Sequence, residues 1–290
     1  MNSQWKSRVL LANLIAQTGI VLTGAVVRLT SSGLGCPSWP ECVPGSVIPT
    51  SEQTQTWHKY IEFGNRTLTG VLVVVAVLTI LAMRNENKEL KILSYGTLAG
   101  IFGQALLGGI TVLTGLNPLA VGSHFLLSIW LISVAAKLQW NYQHLGQTNR
   151  TDVVHPYIWN GIRLHSILAV AVLVMGTLVT GSGPHAGDSA DITRLPFDPR
   201  MISWLHADVV LLFIGLSIGL VIALRATQAP KYAINAATTV VAVALAQGLI
   251  GYVQYFTSLP WVLVAFHVFG ATLLWISTMR LRYSATTFIK

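Results

Sequence analysis

Two stretches of this 290-residue sequence follow one pattern: GQALLGGITVLTGLNPLAVGSH at 103–124 and AQGLIGYVQYFTSLPWVLVAFH at 246–267. Aligned without gaps, they share seven of 22 positions: Gln104/Gln247, Leu106/Leu249, Gly108/Gly251, Thr114/Thr257, Leu116/Leu259, Val121/Val264 and His124/His267. Shared leucines and valines are weak evidence for a repeat, because such residues are common in apolar helices. A Gln and a His kept at one spacing in both copies are stronger evidence. In membrane proteins such repeats place the binding site at the repeat interface.

The match extends to the preceding helices. Asn65 precedes Arg84 by the same spacing at which His206 precedes Arg225. Asn65 in the first half therefore occupies the position of His206 in the second. We expect an all-α membrane protein built as two tandem four-helix bundles, 1–150 and 151–290, joined by a polar linker. Because four helices give each half the same orientation, the repeat is parallel, about an axis along the membrane normal.

The composition is that of an integral membrane protein. Only 10% of residues are charged and the mean hydropathy is +0.62, whereas soluble domains carry about 25% charged residues. Apolar runs of about 20 residues predict transmembrane helices. Eight such runs are present, at about 9–29, 60–83, 92–114, 121–140, 159–181, 203–224, 232–256 and 261–279.

The net charge of +8 reflects membrane topology rather than nucleic-acid binding. With the amino terminus inside, 13 of the 18 basic residues fall on the inner side: Lys6, Arg8, Arg84, Lys88, Lys91, Lys137, Arg150, Arg163, Arg225, Lys231, Arg280, Arg282 and Lys290. Five fall outside: Arg28, Lys59, Arg66, Arg194 and Arg200. The positive-inside rule places both termini in the cytoplasm of a plasma-membrane protein.

Both cysteines of the chain, Cys36 and Cys42, lie in the first outer loop. The outer side is an oxidising place where a disulfide persists. A short loop with two cysteines and two prolines favours a Cys36–Cys42 bridge.

Two histidines near the outer surface predict a haem site in the second half. His206 opens the sixth span and His267 lies seven residues past Pro260, so each is within about ten ångströms of the outer surface. Ionisable groups inside membrane helices are costly and usually functional. Imidazoles from opposing helices can hold a haem iron from both sides, while the apolar bundle buries the macrocycle. A lone membrane histidine would more often be a packing residue; here the repeated pairing favours ligation.

The first half offers a different set of candidate haem ligands. His124 matches His267, but Asn65 stands where a second imidazole would be, and an amide is a poor ligand for haem iron. One fixed ligand suits a substrate porphyrin better than a stable electron carrier. Glu62 lies one turn outward and can handle protons or developing cations, or it can simply be a carboxylate favoured at a helix start. His58, two turns outward, is an alternative ligand.

Three further side chains are predicted to meet the propionates of a bound haem. Arg28 and Arg66 are suited to carboxylates because of their bidentate fork, and His185 lies in the second outer loop. His165, by contrast, is predicted to make a structural hydrogen bond at the inner end of the fifth span.

The chain resembles the haem A synthase family over essentially its whole length. The motifs that carry the resemblance are GAVVRLTSSGLGCPSWPEC (24–42), IEFGNRTLTG (61–70), LGGITVLTGLNP with His124 (107–124), TGSGPHAGD (180–188) and QGLIGYVQYFTSLPWVLVAFHVFGATLLW (247–275). HKYIEFGNR is similar to the branch found in high-GC Gram-positive bacteria.

The resemblance implies a bacterial eight-helix enzyme that oxidises a ring methyl of haem O to a formyl group, giving haem A for haem–copper cytochrome oxidase. It implies a haem b held by His206 and His267, a substrate haem in the first half, and an essential Glu62. Haem O synthase and cytochrome oxidase assembly proteins are the candidate protein partners. Many family members carry a histidine at the position of Asn65, so only His124 carries over as a first-half ligand. Asn65, His58 or water then completes that site.

Two other classes fit parts of the sequence. An electron-transfer cytochrome b would use haem in the same bundles, but it predicts two equivalent bis-histidine sites, which the Asn65/His206 asymmetry disfavours. A thiol–disulfide or assembly factor built on Cys36 and Cys42 would leave the intramembrane histidines unexplained.

Overall fold

The protein is described by a computed structural model that covers residues 3–145, 149–185, 187–188 and 192–289. Lys290, one of the predicted inner cations, lies outside the described residues. Eight helices follow in order: α1 Ser3–Leu29, α2 His58–Met83, α3 Lys88–Leu113, α4 Pro118–Gln143, α5 Pro156–Ser182, α6 Pro199–Ala226, α7 Lys231–Phe256 and α8 Trp261–Ser284. All eight are long and apolar enough, by length and composition, to cross a membrane. The predicted count of eight spans is therefore confirmed among the described residues.

Four helices, α3 to α6, begin before the apolar run does, because a polar side chain caps each of them. Asn117 and Asp198 accept hydrogen bonds from the backbone N–H groups of Leu119 (3.0 Å) and Met201 (2.7 Å) at the starts of α4 and α6. Proline follows each cap, at the first helical position. Its fixed φ and its missing N–H suit that position. These caps explain why the spans predicted from hydropathy alone start several residues too late.

The helices contact one another in two rings. In the first half each helix packs on its chain neighbours, and α1 closes the ring on α4; in the second half α5 closes the ring on α8 in the same way. The halves meet through α1 on α8, α4 on α8 and α4 on α5. Exchanging each helix for its counterpart four helices along reproduces this set of contacts. The contacts thus support the predicted pair of four-helix bundles, which remains an interpretation of them.

The connections between α3 and α4 and between α7 and α8 repeat a rare backbone geometry. Gly115 and Leu116 both have positive φ (59° and 61°), and so do Ser258 and Leu259 (62° and 57°). In each turn the N–H of the second residue returns to a helix carbonyl, Leu116 to Thr111 (2.8 Å) and Leu259 to Gln254 (2.7 Å). Two consecutive left-handed residues are uncommon outside glycine. The repeat seen in the sequence therefore extends to the backbone.

One element was not predicted. A two-stranded antiparallel sheet joins β1, Asn149–Asp152 in the linker, to β2, Thr286–Ile289 in the carboxyl-terminal tail. The predicted all-α class holds for the eight spans, and the strands lie outside them. Backbone groups of a linker and a tail that lie side by side gain by pairing with each other.

Candidate haem and substrate site

The second half places His206 and His267 on opposite helices. The ring of contacts α5–α6–α7–α8 sets α6 and α8 across from each other. Each ring edge rests on a glycine of a neighbouring helix. A Cβ built on Gly176 would lie 3.6 Å from Cε1 of His206, and one on Gly251 would lie 3.4 Å from Cε1 of His267. The helices are thus close-packed around both rings.

The first half repeats the contact between a histidine and a glycine on its α3–α4 side, whereas α2 carries Asn65 at the position that corresponds to His206. A Cβ on Gly108 would lie 3.2 Å from Cε1 of His124, matching the contact of Gly251 with His267. Helix α2, which carries Glu62 and Asn65, lies opposite α4 in the ring of contacts. The two halves therefore present His124 and His267 in the same packing, as their alignment in sequence predicts.

The three histidines share an enclosed ring nitrogen. Nδ1 of His124, His206 and His267 is enclosed in protein and makes no side-chain hydrogen bond in the described structure, as is also true of Nδ1 of His165, and the backbone of Gln247 lies beside the His267 ring. His165 differs, since its Nε2 bonds Ser217 Oγ at 2.9 Å and its ring stacks on Phe213. The structural role predicted for His165 is confirmed. His124, His206 and His267 have no such side-chain partner on the ring in the described structure, so these three rings are the ones available to bind a further group.

Asn65 is held by a neighbouring helix. Its Oδ1 accepts a hydrogen bond of 2.7 Å from Thr23 Oγ1 on α1. His58 is engaged further out, where its Nδ1 bonds Ser32 Oγ at 3.0 Å and its ring stacks on Trp57. Both residues predicted to complete the first-half site thus already have partners, Asn65 within the bundle and His58 in the outer loop.

Glu62 is tied to the first outer loop. The carboxylate is buried, with 5% of its surface exposed, and its Oε2 accepts a 2.6 Å hydrogen bond from the backbone N–H of Cys36. Its Oε1 forms a 2.6 Å ion pair with Arg66, one helical turn further along α2. Both oxygens of this carboxylate are therefore fixed in place.

Arg66 reaches the same loop. Its guanidinium donates to the backbone carbonyls of Cys36 (2.6 Å), Ser38 (2.9 Å) and Glu41 (3.1 Å). The sequence predicts that Arg66 meets a haem propionate. In the structure, its donors are directed at Glu62 and at the loop, a use that fits the i, i+4 spacing of Glu62 and Arg66.

The loop that these two side chains bind is closed by a disulfide. Cys36 and Cys42 are bonded and fully buried, which confirms the predicted bridge. The loop also packs down on the first bundle: a Cβ on Gly109 of α3 would lie 2.5 Å from the ring of Trp39, so only glycine admits that ring. The disulfide loop thus forms a cover over the outer end of the first half.

Arg28 and His185 join the two halves at the end of the protein that is predicted to be the outer one. Arg28 donates from Nε to the carbonyl of His185 and from Nη2 to that of Thr180, both at 2.8 Å. His185 Nε2 in turn lies 2.9 Å from the carbonyl of Leu259, at the α7–α8 turn. The propionate contacts of these residues stay a prediction. What the structure places around them is backbone carbonyl groups.

Fold and site together define a helical membrane protein with an opposed imidazole pair in one half and a carboxylate–amide–imidazole set in the other. Residues 7–279 match the family described as "Cytochrome oxidase assembly protein" (COX15-CtaA). The chain belongs to this family.

Curated relatives agree with that assignment. The chain is similar to "Heme A synthase" of Lysinibacillus sphaericus, 34% identical over 185 residues, which cover 61% of this chain and 57% of that protein. It is also similar to "Heme A synthase" of Staphylococcus epidermidis, 31% identical over 172 residues, covering 58% and 55%. With "Heme A synthase" of Geobacillus thermodenitrificans, 33% identity extends over 102 residues, or 34% and 30%.

The matched stretches span little more than half the length of these relatives, or less. The eight spans and the bacterial relatives identify the chain as a multi-pass protein of the bacterial plasma membrane.

Proposed function

We propose that the chain is a haem A synthase, which oxidises a ring methyl of haem O to a formyl group and so supplies haem A to haem–copper cytochrome oxidase. The observation that carries the proposal is the unequal pair of sites. His206 and His267 lie on α6 and α8, which are across the bundle from each other, whereas Asn65 and His124 lie on the corresponding helices α2 and α4, in a chain that belongs to the COX15-CtaA family. An enzyme that uses one bound haem to oxidise another needs one site that holds its haem permanently for electron transfer and one site that releases its haem after the reaction.

In this proposal residues 151–290 hold a resident haem b. His206 and His267 would hold it, because they lie on α6 and α8, across the bundle from each other, and neither ring has a side-chain hydrogen-bond partner in the described structure. Gly176 and Gly251 lie beside the two rings, where even an added Cβ would make only ordinary van der Waals contact with the imidazoles. When bound, this haem supplies one-electron transfer.

Residues 1–150 receive haem O as the substrate. His124 is the strong ligand available on α4, and the Asn65 amide, held by Thr23, leaves the opposite side weakly held. A substrate that must enter, react and leave is served by one firm bond rather than two. The apolar faces of α1–α4 provide the surroundings that the macrocycle and its lipid-like side chain require.

Glu62 acts in this half as the catalytic carboxylate. Its two oxygens are fixed by Cys36 N–H and Arg66, so little reorganisation is needed when charge develops at the reacting methyl. It serves either by stabilising positive charge at that carbon or by taking a proton from an attacking water. Arg66 keeps the carboxylate in position and anchors it to the covering loop.

Arg28, Arg66 and His185 remain candidates for propionate contacts. Haem O synthase and cytochrome oxidase assembly proteins are the proposed protein partners, because the substrate and the product are both apolar and are best passed within the membrane. Surrounding lipid is the remaining partner.

The thiol–disulfide interpretation is weakened by the burial of the bridge. Cys36 and Cys42 are 0% and 1% exposed, and thiol exchange requires access to a sulfur atom. The cytochrome b interpretation is weakened by Asn65, whose amide oxygen is engaged with Thr23.

The test is pigment analysis of cells that make haem O, with and without this chain. We expect a formyl-bearing haem only when the chain is present. His267→Ala should abolish it, while His144→Ala, at the inner end of α4, should not. Full-length chain in the membrane with haem O unchanged would refute the proposal.

A further inference from the structure

The loop between α1 and α2 reaches Glu62 through one peptide unit, which links Gly35 to Cys36. The N–H of this peptide belongs to Cys36 and donates to Glu62 Oε2 at 2.6 Å. Its carbonyl belongs to Gly35 and accepts a 3.1 Å hydrogen bond from Nε2 of Gln53. The N–H and the C=O of a trans peptide point in opposite directions. Glu62 and Gln53 therefore hold the two sides of one peptide plane.

Gln53 is itself fixed by a second hydrogen bond. Its Oε1 accepts the backbone N–H of Thr50 at 2.8 Å, and the Thr50 carbonyl accepts a 2.7 Å hydrogen bond from Nζ of Lys59. The orientation of the carboxamide is thereby settled, because the Thr50 N–H can only donate and the Gly35 carbonyl can only accept. Lys59 is buried on α2, three residues before Glu62. The contacts thus form a closed chain of hydrogen bonds that starts and ends on α2.

Gly35 allows the loop to lie this close to α2. A Cβ built on Gly35 would lie 2.6 Å from the carbonyl oxygen of His58 and 2.9 Å from Cα of Lys59, which are both backbone atoms. Glycine also restricts the rotation of the following peptide very little, so hydrogen bonds have to select its orientation. A rotated peptide would turn the Gly35 carbonyl oxygen toward the Glu62 carboxylate, and two acceptors repel each other.

We infer that Gln53 is a positioning residue, which holds the Gly35–Cys36 peptide so that its N–H is directed at Glu62. The inference rests on the proposed catalytic role of Glu62. With the peptide held, Oε2 of the carboxylate keeps its donor throughout the reaction, while Oε1 keeps its ion pair with Arg66. Donors fixed in advance need no reorganisation when charge develops nearby. Gln53 acts on the carboxylate through this backbone group.

The first measurement is hydrogen exchange of the backbone amides of this loop, in purified full-length protein. Gln53→Leu keeps the approximate volume and removes both hydrogen bonds of the carboxamide. We expect the Cys36 amide to exchange about tenfold faster or more, because its bond to Glu62 is no longer held. The Cys42 amide, which bonds the Ser46 carbonyl at 2.9 Å, should exchange as before. General loosening of the loop would instead speed both amides.

The second measurement is the yield of formyl-bearing haem from haem O. Gln53→Leu should lower the yield by about tenfold, because the carboxylate is less well placed, while the low-spin spectrum of the second-half haem stays unchanged.

Gln53→Glu tests the donor itself. The introduced carboxylate still accepts the Thr50 N–H but offers no donor to the Gly35 carbonyl, and that carbonyl oxygen raises its pKa above the usual value of about 4.3. Once protonated, the carboxyl donates again. The yield of this variant relative to the unsubstituted protein should therefore rise as the pH falls from about 8 to about 5.

Gln55→Leu is the matched control. Gln55 lies in the same loop and bonds through its backbone carbonyl, which accepts the Lys59 N–H at 3.1 Å. Substitution of the side chain leaves that bond in place. This variant should keep the Cys36 exchange rate and the yield of the unsubstituted protein.

The outcomes separate this inference from the proposed function. If the unsubstituted protein makes no formyl-bearing haem, the proposed function fails, and faster exchange at Cys36 in Gln53→Leu still supports the holding of the peptide. Unchanged exchange at Cys36, or a full yield from Gln53→Leu in a protein that makes the product, overturns the inference. Should the Leu variant not accumulate, a relative yield of Gln53→Glu that does not rise on acidification overturns it.

Discussion

At the scale of single residues, the proposed substrate site of the first half depends on Glu62 and Asn65, three positions apart on α2. Both are held by hydrogen bonds that reach outside their own helix, Glu62 to the Cys36 N–H and Asn65 to Thr23. A carboxylate and an amide fixed in this way are pre-organised rather than mobile. Their chemical roles can therefore be tested by substitutions that keep the shape and change the charge or the ligand.

Replacing Glu62 with Gln removes the charge and keeps the size. If Glu62 acts on the reaction, formyl product should fall by about 100-fold or more, while the second-half haem and the expression level stay unchanged. Pigment extraction and the low-spin spectrum of the same preparation measure both.

The companion variant is Arg66→Lys, which retains a cation but cannot reach three loop carbonyls at once. If Glu62 serves only to clamp the loop, the two variants should lose product together and show equal proteolysis of residues 30–57. Normal haem A yield from Glu62→Gln would reduce this carboxylate to a structural role.

Asn65→His should create a second bis-histidine site. The repeat sets residue 65 opposite His124 as His206 is set opposite His267, so the new imidazole should hold haem O as a low-spin species and slow its turnover. Difference spectra of the protein loaded with haem O report the change.

The rival account makes His58 the missing ligand. It predicts that Asn65→His changes little and that His58→Ala turns a six-coordinate signal into a five-coordinate one. His58 bonds Ser32 and stacks on Trp57 in the outer loop, so we expect His58→Ala to leave the first-half coordination unchanged.

At the scale of elements, the turn between α3 and α4 and the turn between α7 and α8 differ in sequence but share one backbone geometry. Both turns place two consecutive residues at positive φ, yet the first uses Gly115 and the second uses Ser258 at the same position. A left-handed conformation costs a residue with a Cβ about 1–2 kcal/mol. Part of that cost is offset because glycine loses more chain entropy on folding.

We therefore expect Ser258→Gly to stabilise the protein by about 0.5–1 kcal/mol and Gly115→Ser to destabilise it by a similar amount. Unfolding in detergent, followed by circular dichroism, measures both. Ser203→Gly on α6 is the control, since glycine in a helix interior destabilises by about 1 kcal/mol. A Ser258→Gly variant as unstable as that control would contradict the strain argument.

At the scale of the whole molecule, α4 and α8 join the halves. Each belongs to its own ring of four helices, and they contact each other directly, with Trp275 Nε1 donating to Ser133 Oγ at 2.7 Å. The two proposed haem sites thus have their α4 and α8 ligands on the pair of helices at the centre of the protein. That arrangement suits electron transfer between the sites.

Substitutions in the two halves should have separable effects. His206→Ala or His267→Ala should turn the resident low-spin haem signal high-spin or remove it, because one axial ligand is lost. His124→Ala should leave that signal intact and abolish binding of added haem O. Absorption spectra before and after addition of haem O distinguish the cases; an unchanged resident spectrum in both second-half variants would overturn the assignment.

Local patterns in the sequence were sufficient to predict the spans, the repeat and the disulfide bridge. Runs of apolar residues predicted the eight spans, the alignment of 103–124 with 246–267 predicted that His124 and His267 are equivalent positions of a repeat, and the short spacing of Cys36 and Cys42 predicted their bridge. Each depends on neighbours in the chain or on a copied segment, so each can be recognised without knowing which helices meet.

Only the tertiary structure decided what the polar side chains touch. Arg28 binds carbonyls more than 150 residues away, and Arg66 and Glu62 bind a loop whose Cys36 lies 26 to 30 residues before them. The linker and tail strands pair across the length of the second half. Such partners are set by how helices pack and loops fold back, because a buried donor or acceptor bonds whatever group packing brings within about 3 Å.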